Sequence, residues 1–301
     1  MFDFKSTIYL KLLYQIINAY TRRFPFPARG SSLLWPLLKR TGLYQSRFTK
    51  KIFNGLLMQV CPAEHIQRQI LWHGIYEKEA SHFARSLLRP GDVMIDIGAN
   101  TGYYTLIAAA AVKQQGRVIA FEPVPRLRHL LEAQLVTNRL GNVTVESAAL
   151  GEQKGQAAFF VAGDDNTGMS GLRPQENFSG VTLQADITPL DTWLATHPQP
   201  AIRLIKIDTE GAELQVLRGM RHTIEKYQPV LLLELMNELL ALFNHHATEI
   251  YDLLQGTGYK AYTIKKRNRL APAMYGQTAY NMVFAPAGFT FPPGITILPD
   301  K

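Results

Sequence analysis

Short unbroken apolar runs set the pattern of the chain's middle. Val93-Met-Ile95, Val118-Ile-Ala-Phe121, Val143-Thr-Val145, Leu204-Ile205 and Val230-Leu-Leu-Leu233 each sit between polar or glycine-proline punctuation. Runs of this length without alternation read as strands covered on both faces. Between the first three lie helix-spaced stretches, Tyr103–Val112 and Pro125–Asn138, so three strands and two crossover helices follow one another. Such alternation predicts a parallel sheet with helices on both faces. Ala157–Val161 and Val181–Gln184 predict a hairpin around Gly163–Gly171, and residues 162–180 read as a long loop on the acceptor side of a site. Further on, Ala212–Met220 and Thr248–Leu254 predict helices, while Tyr259–Ile264 and Asn281–Ala285 close the pattern around the basic turn Lys265-Lys-Arg267.

Before the sheet the pattern changes. Ile8, Leu12, Leu13, Ile16, Ile17 and Tyr20 recur at helical spacing, Arg23-Phe-Pro-Phe-Pro27 and Gly30-Ser-Ser32 read as a linker, and a second helix is expected over roughly Tyr44–Met58. Residues 65–89 lead in, with a helix over Glu79–Leu88 that Pro90-Gly91 stops. The expected organisation is a basic helical extension over 1–60, the main α/β domain over 61–290 and a tail over 291–301, without internal repeats.

Composition adds three constraints. Cys61 is the only cysteine in 301 residues, which forbids an intramolecular disulfide and agrees with a reducing, cytoplasmic setting. The eight histidines show no zinc-ligand spacing. The net charge of +8 is concentrated: residues 1–58 hold ten Lys and Arg against Asp3 alone. A basic face of this kind suits an anionic partner, whether a membrane surface, an acidic glycan or a nucleic acid. Lys11 interrupts the first helix, which is too short to span a bilayer and lacks a cleavage site. Docking on its own domain or on a second copy in a homodimer is its expected role; peripheral attachment to a membrane is the alternative.

Two stretches carry chemistry. In Asp96-Ile-Gly98-Ala-Asn100-Thr101-Gly102 a strand turns through glycines into a helix, whose unpaired N–H groups and open backbone would let a cofactor approach. Twenty residues after Gly102 the second strand ends at Glu122, where a carboxylate meets the ribose of an adenosine across the first turn. NAD is disfavoured because an acid, Asp96, heads the turn in place of the first glycine of Gly-x-Gly-x-x-Gly. The second stretch, Arg203-Leu-Ile-Lys206-Ile-Asp208-Thr-Glu210-Gly211-Ala-Glu213, puts Lys206 and Asp208 on one side of a strand end. A lysine buried there requires an acid partner, Asp208 or Glu210. Glu234 ends the next strand at the same edge.

Together Asp96–Gly102, Phe121-Glu122-Pro123, Leu190-Asp191 and Ile205–Glu213 resemble the FkbM-type methyltransferases, over about residues 74–264. The resemblance implies a Rossmann-like class I fold, a mostly parallel seven-stranded sheet of order 3-2-1-4-5-7-6 with the last strand antiparallel. It also implies S-adenosylmethionine as cofactor and a hydroxyl of a sugar, glycan or other small natural product as acceptor. Gly98, Asn100, Thr101 and Gly102 would then shape the cofactor loop, Asp96 would face the methionine part, Glu122 the ribose, and Ser147 and Ala148 the adenine, with Tyr76-Glu77 closing over the cofactor.

The expected reaction is in-line methyl transfer to a hydroxyl, with Asp208 accepting or orienting its proton, Lys206 fixing Asp208, and Glu210 in reserve. Asp208 also belongs to the cofactor-side set. A divalent cation, magnesium or manganese, on Asp208, Glu210 and Glu234 is the rival arrangement. An RNA methyltransferase is disfavoured because no base-stacking motif accompanies the basic arm. A non-catalytic cofactor- or glycan-binding protein would not need the Asp208 cluster.

Overall fold

The computed structural model describes residues 4–23, 31–163, 167–174, 178 and 180–299. The chain divides into two compact units, residues 1–77 with 163–168, and residues 78–162 with 169–301. The division thus falls at Glu77/Lys78, beyond the expected 60/61, and the lead-in segment belongs to the first unit.

In the first unit α1 (Phe4–Arg23) and α2 (Ser31–Thr41) precede a two-stranded antiparallel ribbon, β1 (Phe48–Lys51) and β2 (Leu57–Val60), and then α3 (His65–His73). The helix expected over Tyr44–Met58 is absent, and its place is taken by that ribbon. Phe48, Lys50, Met58 and Val60 are buried in a two-residue alternation, and Asn54 and Gly55 adopt left-handed φ of 62° and 83° in the reversal between the strands. An Asn-Gly pair is a strong hairpin signal, and it overrides the helical spacing of the surrounding leucines. Ser31 and Ser32, expected in the linker, begin α2; residues 24–30 lie outside the described ones. One face of α1 is fixed to the ribbon: the Tyr14 hydroxyl donates to the Arg47 carbonyl at 2.7 Å and the Thr49 N–H to Asn18 Oδ1 at 2.6 Å, with Ile17 and Thr21 buried beneath.

The second unit opens with α4 (Lys78–Leu87) and then alternates as expected: β3 (Val93–Ile97), α5 (Tyr103–Val112), β4 (Arg117–Phe121), α6 (Pro125–Asn138) and β5 (Val143–Glu146). After a three-stranded side sheet of β6 (Ala149–Leu150), β7 (Gly155–Ala162) and β8 (Gly180–Thr188), it resumes with α7 (Leu190–Thr196), β9 (Leu204–Ile207), α8 (Glu213–Arg218), α9 (Arg221–Tyr227) and β10 (Val230–Leu235). It ends with α10 (Asn237–Leu240), α11 (Ala247–Gly256), β11 (Tyr259–Lys265), β12 (Arg269–Pro272), β13 (Ala279–Pro286) and β14 (Thr296–Ile297). The main sheet has the order β5-β4-β3-β9-β10-β13-β11-β12-β14. Its first seven strands reproduce 3-2-1-4-5-7-6, with β13 antiparallel to both neighbours. This is the class I methyltransferase topology.

Two strands of the main sheet went unforeseen. β12 closes a short hairpin on β11 across the basic turn, and β14 lies within the stretch expected as a separate tail, pairing with β12. The expected hairpin is present as β7 and β8, paired from Gly155↔Ile187 to Ala162↔Gly180. Helices cover both faces because the strands present both parities. Val93, Ile95 and Ile97 pack with α7, α8, α9 and α11, while Asp96, of the other parity, meets α5 through Thr105. Fully buried parallel strands need this double cover.

Candidate active site

The glycine turn after β3 is held almost wholly by its own protein. The N–H groups of Gly98 and Ala99 both donate to the Phe121 carbonyl at 3.0 Å, that of Asn100 to Glu122 Oε2 at 2.7 Å, that of Thr101 to Asn100 Oδ1 at 2.7 Å, and that of Gly102 to the Ala99 carbonyl at 2.9 Å. The amides of the turn itself, Gly98 to Gly102, are therefore engaged. Gly98 and Gly102 do adopt left-handed φ of 78° and 89°, as the tight turn requires. The space left by their missing Cβ atoms is filled by protein: a Cβ on Gly98 would lie 1.8 Å from the Asp208 carbonyl oxygen, and one on Gly102 would lie 2.2 Å from Leu131 Cδ1. These glycines permit the close packing of Asp208, at the end of β9, and of α6 on the turn.

What stands around the turn is buried carboxylate. Asp96 is 1% exposed; Thr105 Oγ1 donates to its Oδ2 at 2.5 Å, and its Oδ1 has no hydrogen-bond partner. Burial raises its pKa, against the pull of Lys206. Glu122 accepts one backbone N–H on each oxygen, from Asn100 and from Val124, and burial pushes its carboxyl up to about 7. Each of those oxygens retains acceptor capacity.

The second cluster stands at the ends of β9 and β10. Asp96 and Lys206 are register partners across β3 and β9, and Lys206 Nζ reaches Asp208 Oδ2 at 2.7 Å while lying 4.8 Å from the Tyr104 ring centre. Carboxylate oxygens of Asp208, Glu210 and Glu234 come within 4.8 Å of one another. Burial works to raise the Asp208 pKa, but the Lys206 ammonium and the hydrogen bonds from Lys206 and Glu234 hold it below the ordinary range. Burial, and then the charges of Asp208 and Glu210, push Glu234 far upward, so it carries the proton it shares with Asp208. Glu234 sits where the β10–β13 register shifts, between Leu233↔Met282 and Leu235↔Ala279. Such an irregularity re-aims a side chain at a strand end. Glu210 has a left-handed φ of 54° and is followed by Gly211 at 103°. Their turn is pinned by buried Glu213, whose Oε1 accepts from the Thr209 N–H and hydroxyl, both at 2.9 Å, and from the Gly211 N–H at 3.2 Å.

A sequence model described as the methyltransferase FkbM domain matches residues 96–261, more than half of the 301 residues. The chain belongs to the FkbM methyltransferase family. Among FkbM relatives, the 31-O-demethyl-FK506 methyltransferase FkbM of Streptomyces tacrolimicus is 29% identical, across 44% of this chain and 61% of the relative. Methyltransferase 1 of Beauveria bassiana is 24% identical, across 42% of this chain and 57% of its own length. The match thus spans about three fifths of each of these relatives. Among solved structures, methyltransferase FkbM from Methylobacillus flagellatus shares 18% identity over 85% of this chain and 60% of that one, with a TM-score of 0.41.

Within this FkbM chain, then, the parallel strands β3, β4, β9 and β10 bring Asp96, Glu122, Asp208 with Glu210, and Glu234 to one edge, the carboxyl ends where doubly wound sheets bind ligands. Ser147 and Ala148 follow β5 at that edge, the first exposed and the second half-buried. Glu77 closes the other unit, with a left-handed φ of 43°. Of the acceptor-side loop, residues 164–166, 175–177 and 179 lie outside the described ones, but a Cβ on Gly171 would stand 3.2 Å from Glu210 Cβ. Thr105, Tyr104 and Glu213 are site residues that sequence reading did not single out. Glu213 was visible as an acid four residues beyond Thr209, whereas Tyr104 and Thr105 lie in an apolar helix without any distinguishing spacing. Asp191 is structural: its carboxylate accepts from the N–H groups of His222 and Thr223 at the start of α9, at 2.9 and 2.8 Å.

Proposed function

We propose that the protein transfers the methyl group of S-adenosylmethionine to a hydroxyl oxygen of a sugar, glycan or other small natural-product acceptor. The observation that carries this reading is the polarity of the site. Every amide from Gly98 to Gly102 is engaged, while Asp96 Oδ1 is buried without a donor and Glu122 has acceptor capacity to spare. Such a site suits a ligand that brings donors and positive charge, as an ammonium, a sulfonium and ribose hydroxyls do. Within the turn itself a pyrophosphate would find no unpaired N–H group. The residues present therefore fit S-adenosylmethionine better than NAD, with Asp96 toward the amino acid part and Glu122 toward the ribose.

When bound, the cofactor supplies an electrophilic methyl on sulfur. Asp208, kept anionic by Lys206 and by the proton on Glu234, accepts a hydrogen bond from the acceptor hydroxyl and points its oxygen lone pair inward. A carboxylate this acidic does not strip a proton from an alcohol beforehand. It takes the proton as the new C–O bond makes the oxygen cationic. Oxygen as the acceptor atom is supported by the S. tacrolimicus relative, whose name specifies an O-demethyl acceptor. A divalent cation on Asp208, Glu210 and Glu234 is the second reading, favoured by their mutual approach within 4.8 Å; the 2.7 Å Lys206 contact on Asp208 argues for the first.

Titration calorimetry tests the cofactor. S-adenosylmethionine should bind at about micromolar Kd, near −8 kcal/mol, and Glu122→Ala should weaken it. Binding of NAD with no heat from S-adenosylmethionine would sink the proposal. With labelled cofactor and a panel of hydroxylated acceptors, Asp208→Asn should cut kcat by about a hundredfold or more while leaving the cofactor Kd within about threefold. Unchanged turnover would remove Asp208 from the reaction.

A further inference from the structure

The α1 helix is apolar on two faces, and the ribbon covers only one. Ile17 and Thr21 are buried against β1, whereas Tyr9, Leu12, Ile16 and Tyr20 are 70%, 52%, 58% and 47% exposed. At 100° per residue these four fall within about 80° of one another around the helix, a continuous outward stripe three turns long. Ala19 extends its edge, and beyond Ala19 come Gln15, Arg22 and Lys11, all exposed. A large aromatic thus stands near each end of the stripe, leucine and isoleucine lie between, and two cations flank one side.

A stripe of this kind needs a cover, and charge decides between the candidates. Residues 1–58 carry ten Lys and Arg against one acid, and Lys11, Arg22, Lys39, Arg40 and Arg47 are exposed. A second copy seated stripe to stripe would oppose two such cationic segments, at a cost that grows as salt is lowered. An anionic bilayer surface supplies both missing components: an apolar layer for Leu12 and Ile16 at the depth of the acyl boundary, and negative headgroups for the cations. Tyrosine at the ends matches the polarity of the headgroup region. No described helix is long and apolar enough to cross a membrane, so the contact lies in the plane of the interface. We infer that α1 docks the protein on an anionic lipid surface through Tyr9, Leu12, Ile16 and Tyr20, with Lys11 and Arg22 on headgroups.

The full chain should be floated with vesicles of phosphatidylcholine alone and of phosphatidylcholine mixed with phosphatidylglycerol, at low and high NaCl. Flotation with the anionic vesicles, weakened by salt and reduced about tenfold or more by the double substitution Leu12→Glu/Ile16→Glu, is the expected result. Both side chains are exposed, so the variant should keep the native circular dichroism and urea midpoint, which shows that the loss is not unfolding. Failure of the native chain to float with anionic vesicles overturns the inference, as does equal flotation of the double variant. A native dimer in light scattering that the double variant converts to monomer would assign the stripe to a second copy instead.

Discussion

Gly98 and Gly102 look equivalent in the sequence, and the structure predicts that they are not. Alanine at either position places a Cβ in the left-handed region, at a cost of about 1–2 kcal/mol. They differ in what the Cβ meets. At Gly98 it would stand 1.8 Å from a backbone carbonyl, that of Asp208, which cannot rotate aside. The turn and the end of β9 must part by well over an ångström, which endangers the 3.1 Å bond from the Asp208 N–H to the Ile97 carbonyl. Overpacking of about 1–3 kcal/mol and a hydrogen bond of about 1 kcal/mol are added to the backbone cost. Gly98→Ala should therefore lose roughly 3–6 kcal/mol, a large part of a typical domain's stability. At Gly102 the obstacle is the tip of the Leu131 side chain, which can change rotamer for about 1 kcal/mol, so Gly102→Ala should lose only about 2–3 kcal/mol. Urea unfolding of both variants, followed by circular dichroism, measures the pair, and the surviving Gly98→Ala protein should also turn over more slowly because Asp208 has moved. If Gly102→Ala proved as costly as Gly98→Ala, or Gly98→Ala cost less than about 2 kcal/mol, the packing argument for Gly98 would be refuted.

Three further outcomes follow from the site. Glu122 binds its proton more tightly folded, at about 7, than unfolded, at 4.5, so its contribution favours folding most below about pH 4.5 and is lost as pH rises through 7; the unfolding free energy from urea titrations should be lower at pH 8 than at pH 5 by an amount on the order of 3 kcal/mol that Glu122→Gln lacks. Glu213→Ala leaves the buried Gly211 N–H and the Thr209 donors without their acceptor, and should cost about 2–4 kcal/mol in urea; a loss under about 0.5 kcal/mol would show that the turn holds without it. A chelator should leave turnover of the purified protein unchanged if Lys206 and the Glu234 proton balance the acidic cluster, and loss of activity restored by magnesium or manganese would establish the metal arrangement instead.

How far the sequence could be read depended on how local the cause was. The central strands were legible because burial on both faces leaves a run no polar position, and α6 was legible because Pro125 starts it and Gly141-Asn142 turns the chain after it. Strand parity put Lys206 beside Asp208, with Glu210 as the alternative partner, and the structure pairs it with Asp208. What escaped had causes in three dimensions. The Gly98 gap is filled by a residue 110 positions later in the chain, and the amides of the turn are consumed by Phe121 and Glu122 from the adjacent strand. The Glu234 irregularity depends on β13 pairing out of step with β10. The β1–β2 ribbon has a local cause: Asn54-Gly55 supplies the left-handed turn that reverses the chain there.

The two strands beyond β11 also have a meaning for the chain's solubility. A seven-stranded sheet of this order would end at β11, seven residues long, with a row of unpaired backbone groups able to recruit a strand from another molecule. Here β12 covers that row, and β14 covers β12 with just two residues, its N–H and carbonyl ladder continued by Leu298 N–H to the Leu270 carbonyl at 2.7 Å and then cut off by Pro299. The outermost strand is thus too short and too proline-bound to act as a template. Shortening the chain before Ile295 would uncover β12 and convert a guarded border into an adhesive one, so residues 292–299 guard the molecule against its own copies.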